Sequence, residues 1–236
     1  MLNLSSARLT GHDPSCLAPW NHRGAQCQLH PDVVGPLQAL CDRANAAGLA
    51  LRVASGFRSF ERQLAIWNAK ARGARPVLDD QGRPRDLSAL GDRERMYAIL
   101  RWSALPGASR HHWGTDIDVW DAAAVAADYR LQLVAAEYAP GGPFFALHAW
   151  LTRELGAGTE FFRPYATDTG GVAPEPWHLS FAPVAREFEA RLLPQLLRDA
   201  IEAADIELKP VILEDLDIIF ARYVGSARCI PSGDAR

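Results

Sequence analysis

The order of helical and strand-like patterns along this 236-residue chain predicts an α+β fold. A helical pattern over residues 31–47 is followed directly by strand-like alternation over 49–55, and a second alternating segment lies at 114–120. The sequence shows no internal repeats and no low-complexity tracts. We therefore expect one domain over residues 1–236, with a core at about 31–185 and C-terminal helices at about 184–224.

Composition excludes several classes of protein. The net charge of -3 and the pI near 6.2 argue against a nucleic-acid partner, which would require clustered excess Lys and Arg. No apolar run approaches the roughly 18 residues of a transmembrane segment. The first residues lack the basic start and apolar stretch of a secretory signal, so we expect either a cytoplasmic protein or one whose signal has been removed.

The first predicted helix spans residues 31–47. Val33, Leu37 and Leu40 recur at helical spacing, Pro31 suits a first turn, and Gly48 suits the position after the last turn. A half-buried strand is predicted next, because apolar and other residues alternate up to the Ser-Gly pair at 55–56.

A second helix is expected after Ser59, which can cap it, and would continue to about Arg72. The stretch from Gly73 to Asp86 is rich in Gly, Pro and Asp and is predicted to be a surface loop, either a lid or a passive connection. A third helix is predicted over 92–103.

The alternation over 114–120 places Asp116 and Asp118 on one face of a strand, with the apolar residues on the other. Farther along, the pattern predicts a helix over 144–155, a turn-rich stretch over 167–173, a strand over 177–181, and helical segments over 184–193 and 213–224 with a break at Pro194.

Two short segments contain the residues of a metal site: Ser-Arg-His-His-Trp-Gly-Thr-Asp-Ile-Asp at 109–118 and Glu-Pro-Trp-His at 175–178. His111 and Asp118 lie close together in sequence, so a strand and its entry turn bring both to one ion. His178 then has to come from a neighbouring strand, ideally an antiparallel one. Imidazole and carboxylate are the ligands of a catalytic zinc, which takes three protein ligands and keeps a fourth position for water. Glu175 is not one of these three ligands and is predicted to act as the general base.

These segments resemble the VanY-type zinc D-alanyl-D-alanine carboxypeptidases, whose signature is S-x-H-x-x-G-x-A-x-D followed later by E-x-W-H. The matching residues here are Ser109, His111, Gly114 and Asp118, then Glu175, Trp177 and His178, and upstream the family's S-G-[FY]-R-S segment at 55–59 with Gln63. The resemblance covers roughly Ser55 to Phe181. Asp116 departs from it, because the family commonly has Ala there. This carboxylate would either compete as a ligand or orient His111 or His112.

The resemblance implies a hedgehog/DD-peptidase-like fold, in which a small antiparallel sheet carries Zn²⁺ and helices flank it. It implies that Arg58 reaches the active site and holds the substrate carboxylate or stabilises the oxyanion. Gln63 and Ser109 are weaker candidates for contacts with substrate, and Trp177 is expected in the substrate cleft.

The resemblance also implies hydrolysis of a peptidoglycan stem peptide, with removal of a C-terminal D-alanine. A dipeptidase or endopeptidase that uses the same zinc chemistry is the alternative within the enzyme class. A non-catalytic zinc module that binds cell-wall peptide is the alternative from another class. We expect a monomer.

The four cysteines form no C-x-x-C pair and are therefore poor zinc ligands by spacing; they are Cys16, Cys27, Cys41 and Cys229. Free buried thiols are expected, with one or two disulfides as the alternative. His112 neighbours a predicted ligand, but on an extended segment consecutive side chains point in opposite directions, so His112 is not expected to bind metal.

Overall fold

The computed structural model describes residues 4–156 and 158–227, and it has the predicted α+β architecture. The strands are β1 (Ala18–His22), β2 (Ala25–Leu29), β3 (Leu51–Ser55), β4 (Asp116–Asp121), β5 (Phe161–Phe162) and β6 (His178–Phe181). The helices are α1 (Ser6–Leu9), α2 (Pro31–Ala46), α3 (Phe60–Ala71), α4 (Asp92–Leu100), α5 (Ala135–Tyr138), α6 (Phe145–Gly156), α7 (Ala182–Arg191), α8 (Pro194–Ala203), α9 (Lys209–Glu214) and α10 (Leu216–Ile219).

The central sheet has four strands in the order β3-β4-β6-β5, and every neighbouring pair is antiparallel. Strand β4 lies between β3 and β6, with Ile117 and Val119 buried in the hydrophobic core. In the register of β4 and β6, Asp118 stands opposite His178. The expected antiparallel partner strand for Asp118 is therefore present.

Helices α2 and α3 begin and end for the predicted reasons. Pro31 occupies the first turn of α2, and Gly48 follows its C-terminus with a φ of 81°, a conformation that favours glycine. Ser59 caps α3, because its hydroxyl accepts a hydrogen bond from the Arg62 amide at 3.2 Å. Trp67 on α3 is fully buried, and its indole N–H donates to the Glu207 carbonyl at 3.0 Å. This contact holds α3 against the C-terminal part of the chain.

The residues between 73 and 86 form no helix and no extended strand, as predicted, yet they are fastened to the fold. Val77 is buried in the core. Arg101 donates to Asp80 at 3.0 Å and to Asp168 at 2.6 Å, so it links this loop to the turn-rich stretch near 170. The loop is therefore packed against the rest of the fold and is not a passive connection.

Two features of the fold differ from the sequence prediction. An N-terminal hairpin, β1 and β2, was not predicted; its two-residue turn is Arg23-Gly24, with φ values of 48° and 87°, the left-handed conformation typical of tight hairpins. The predicted helix over 213–224 is broken into α9, α10 and a wide turn at Phe220–Val224. Pro194 does mark a break, but it also begins α8, because proline suits the first helical turn.

The C-terminal helices share one hydrophobic core with the sheet, through residues such as Phe188, Leu197, Ile212 and Leu216. Cys16, Cys27 and Cys41 are free thiols, as expected, although only Cys41 is fully buried; Cys229 lies outside the described residues. Burial raises the pKa of both Cys27 and Cys41 to about 11, so these thiols stay protonated at neutral pH. Within 4–156 and 158–227, no helix combines the length and the apolar character that crossing a membrane requires.

Candidate metal centre and active site

Three predicted ligands, His111, Asp118 and His178, converge at one point. Each offers one donor atom, and these atoms all lie within 4.8 Å of one another. His111 Nε2 is 3.4 Å from Asp118 Oδ2, and His178 Nδ1 is 3.8 Å from Asp118 Oδ1. All three side chains are buried. This is the donor set that a tetrahedral zinc site with one open position uses.

A tight turn at Arg110–Trp113 presents His111 to the sheet. The turn ends at Gly114, whose φ is 68°, and a Cβ there would lie 2.8 Å from the His30 backbone nitrogen. Glycine is therefore required where the chain enters β4. His111 Nδ1 is 2.9 Å from the Gly56 carbonyl, which suits an N–H donor at Nδ1 and leaves Nε2 free for a metal.

His178 is oriented by Asp116, which is the one departure from the family pattern. His178 Nε2 lies 3.0 Å from Asp116 Oδ1 and donates to it, so the other ring nitrogen faces His111 and Asp118. Asp116 therefore makes no hydrogen bond with His111 or His112, the two histidines predicted as its partners. Because β4 and β6 are antiparallel neighbours, Asp116 reaches the cross-strand histidine instead.

A buried network holds Asp116 in place. Its carboxylate accepts hydrogen bonds from Arg110 at 2.8 Å, Thr115 at 2.6 Å and Ser180 at 3.0 Å. Burial would raise the pKa of Asp116, but the Arg110 guanidinium and the His178 hydrogen bond outweigh burial, and the pKa lies below its usual range. Asp116 is therefore a permanent anion behind His178. The sequence analysis did not predict a role for Arg110, although its position next to the predicted ligand His111 indicated one.

The electrostatics of the site suit a bound cation. Burial would lower the pKa of His178, yet its hydrogen bonds with Asp116 and Glu175 raise this pKa to about 10. The carboxylates that favour a positive imidazole here favour a metal cation equally.

Glu175 stands beside the ligands, with Oε2 2.8 Å from His178 Nδ1. Its backbone N–H donates to the Tyr165 carbonyl at 2.9 Å, and Arg163 donates to the Pro176 carbonyl at 3.1 Å. These contacts fix the segment that leads into β6. Tyr165, which carried no signal in the sequence, packs edge-on against the His178 ring with centroids 5.1 Å apart.

Arg58 points toward the same centre. One terminal nitrogen is 3.8 Å from Asp118 Oδ2, and the other donates to Gln63 Oε1 at 2.9 Å. Gln63 is fully buried, and its amide nitrogen donates to the Ala104 carbonyl at 2.7 Å. Gln63 is therefore not among the residues that line the pocket. It positions Arg58.

A cavity of about 400 Å³ opens over the centre. Arg58, His111, Asp118, Glu175 and His178 all line it, so the residues predicted for catalysis and metal binding share one pocket. Its walls also include two further predicted residues and several that were not predicted: Ser109 and Trp177, then Ile66, Lys70, Arg75, Pro76, Leu78, Ser103 and Tyr165.

His112 faces away from the centre, although the reason differs from the predicted one. It lies in the tight turn rather than on an extended segment, and its ring bridges the Arg58 carbonyl at 2.6 Å and the Gly107 amide at 3.1 Å. Burial lowers the pKa of His112 to about 3, so the ring is neutral and structural.

Comparison with known proteins gives the fold and then the family. The solved structure described as "VanYB in complex with D-Alanine-D-Alanine" is 20% identical, with a TM-score of 0.50 over 80% of this chain and 90% of that one. The structure of the LdcB LD-carboxypeptidase is also 20% identical, with a TM-score of 0.50 over 86% and 79% of the two chains. The chain thus has the fold of these two carboxypeptidase structures. The family model "VanY: D-alanyl-D-alanine carboxypeptidase" matches residues 26–184, more than half of the chain, so the chain belongs to the VanY family.

Two curated relatives, both uncharacterised proteins of Haemophilus influenzae, are closer in sequence. One is 49% identical over 77 residues, which is 33% of this chain and 53% of the relative. The other is 33% identical over 122 residues, which is 51% of this chain and 92% of the relative. This chain thus spans about half the length of the first relative.

Proposed function

We propose that this chain is a zinc-dependent carboxypeptidase that removes a C-terminal D-alanine from peptidoglycan stem peptides. The observation that carries the proposal is the convergence of His111, Asp118 and His178 within 4.8 Å, with Glu175 2.8 Å from His178. Membership of the VanY family and the D-Ala-D-Ala bound by VanYB support the substrate class.

The chain's own residues take separate parts in the reaction. A zinc ion held by His111, Asp118 and His178 would supply Lewis-acid chemistry, namely polarisation of the scissile carbonyl and a lower pKa for water. Glu175 takes the proton of the attacking water and returns it to the leaving amine. Arg58, held by Gln63, binds the terminal carboxylate or stabilises negative charge that develops on the carbonyl oxygen. Asp116 keeps His178 in the tautomer that binds metal through Nδ1.

The shape of the pocket supports cleavage at a chain end. Arg75, Pro76 and Leu78 from the packed loop line the pocket together with Arg58, so the loop forms a wall of the cavity. A walled pocket favours a terminal residue over a cross-linked strand.

The test is incubation of purified pentapeptide muropeptides with the protein, with chelator and after zinc is restored, followed by mass spectrometry. Zinc-dependent loss of one alanine is expected. Loss of a dipeptide or an internal cut would replace carboxypeptidase action with dipeptidase or endopeptidase action. A protein that binds zinc and peptide but gives no product would refute the enzymatic proposal in favour of a binding module.

A further inference from the structure

Lys70 is a cation in the pocket wall without a carboxylate partner. Its ammonium donates to the Ser103 hydroxyl at 2.6 Å, which uses one of its three N–H groups. Within residues 4–156 and 158–227, no carboxylate oxygen lies within 4.0 Å of it. The carboxylate whose charge raises the pKa of Lys70 is Glu175, and Glu175 is itself 2.8 Å from His178.

A second cation lines the same part of the pocket. Arg75 follows α3 by four residues, is exposed, and its side chain has no ion pair with any described residue. Burial and then the repulsion of Arg75 lower the pKa of Lys70 to about 8. An anion placed between the two side chains would relieve this repulsion and pair with both.

Lys70 lies farther along α3 than the residue that holds Arg58 at the metal centre. Lys70 comes seven residues after Gln63, so both lie on one face of the helix, roughly 10 Å apart along its axis. Gln63 holds Arg58, which lies 3.8 Å from Asp118. An extended peptide covers about 3.3–3.6 Å per residue, so about three residues span this distance.

We propose that Lys70 and Arg75 form a second subsite that binds a carboxylate of the substrate about three residues away from the metal centre. The inference rests on the proposed function, because it assigns a further group of the same peptide substrate. The carboxylate has two sources that the test separates: the side chain of a stem-peptide residue, which fits carboxypeptidase action, or the C-terminus of a longer leaving group, which fits the endopeptidase alternative.

The test compares two pentapeptide substrates that differ only at the third residue. Diaminopimelate carries a side-chain carboxylate there, and lysine lacks it. The variants are Lys70→Met and Lys70→Arg, with Lys209→Met as the matched control. Lys209 is also a lysine, but within the part of the chain that the structure describes it donates to the Glu202 carbonyl at 3.1 Å, and it lies outside the pocket. Circular dichroism and zinc content establish that each variant is folded.

We expect Lys70→Met to raise KM by about 10- to 100-fold, the loss of one charged hydrogen bond, with little change in kcat. Lys70→Arg should restore most of the affinity, and Lys209→Met should match the wild type. A loss confined to the diaminopimelate peptide identifies the side-chain carboxylate. A terminal carboxylate is tested by calorimetry in a Glu175→Gln background, with C-terminally extended peptides that end in an acid or in an amide. If the terminal carboxylate is the bound group, adding Lys70→Met should weaken binding of the acid and leave binding of the amide unchanged.

Unchanged KM and unchanged binding of every peptide in Lys70→Met would overturn the subsite. Should that variant misfold, Arg75→Ala gives the same comparison, because Arg75 is exposed and its side chain makes no hydrogen bond with any residue in 4–156 and 158–227. Unchanged KM and unchanged peptide binding in Arg75→Ala would also overturn the subsite. Failure of the proposed function would look different, since the wild type itself would then cleave neither peptide, and calorimetry would still report whether Lys70 binds the carboxylate.

Discussion

Replacement of Asp116 by Asn tests the arrangement behind the metal centre, because it removes one charge and keeps the shape of the side chain. Asp116 is fully buried and accepts hydrogen bonds from Arg110, His178, Thr115 and Ser180. Breaking a buried ion pair by removing one partner costs about 3–5 kcal/mol. We therefore expect the metal-free variant to lose about that much free energy of unfolding.

The zinc affinity should fall as well. An Asn in place of Asp116 no longer stabilises the His178 tautomer that binds through Nδ1, and loss of such a supporting carboxylate typically costs about 10- to 100-fold in metal affinity. The first assay is urea unfolding of the metal-free protein. The second is competition for zinc with a chromogenic chelator, measured on folded protein.

Asp121→Asn is the matched control, because Asp121 lies on the same strand and is also buried. Its carboxylate accepts from two backbone amides, those of Ala50 and Ala123, and is not part of the metal-binding group. This variant should lose stability and keep its zinc affinity. The reasoning fails if Asp116→Asn binds zinc as tightly as the wild type. Complete loss of stoichiometric zinc would instead make Asp116 a ligand.

Three further predictions concern the catalytic acid, one ligand and one titrating lysine. Glu175→Gln should keep zinc and lower kcat by about 10²- to 10⁴-fold, the usual contribution of a general acid-base, in a muropeptide assay; full activity would exclude Glu175 as the base. His178→Ala should lose stoichiometric zinc by atomic absorption, whereas His22→Ala should retain it; normal zinc in the first variant would refute the ligand assignment. The pKa of Lys70 is about 8 in the folded protein and higher in the unfolded chain, so the unfolded chain binds more protons between about pH 8 and pH 10 and stability from this group rises across that window. Urea unfolding of wild type and Lys70→Met at several pH values checks this: the difference between them should change with pH, and a constant difference would contradict it.

Local patterns predicted much of the framework because their causes are local. A proline in the first turn and a glycine after the last define α2, and a serine cap defines the start of α3. Alternation placed Asp116 and Asp118 on one face of β4, and both do approach His178. The order and spacing of the motifs predicted three ligands and an acid, and the structure brings these four side chains together.

The errors arose where one segment had to be placed against another. The broken helix after residue 208 and the hairpin at 18–29 depend on packing against the core as much as on propensity. Gln63 was expected at the substrate, but tertiary structure turns it onto Arg58 and the Ala104 carbonyl.

The sequence by itself thus predicted most of the central elements, the family and a candidate set of metal ligands, because these follow from short-range periodicity and from spacing within motifs. Tertiary structure alone decided the partners of the buried charges: that Asp116 supports His178, that Arg110 neutralises Asp116, and that Lys70 faces the pocket without a carboxylate. These pairings join residues far apart in the chain, such as Asp116 and His178, which are 62 positions apart. Which side chains meet across such a distance depends on strand register and helix packing, and neither is encoded in any single stretch of sequence.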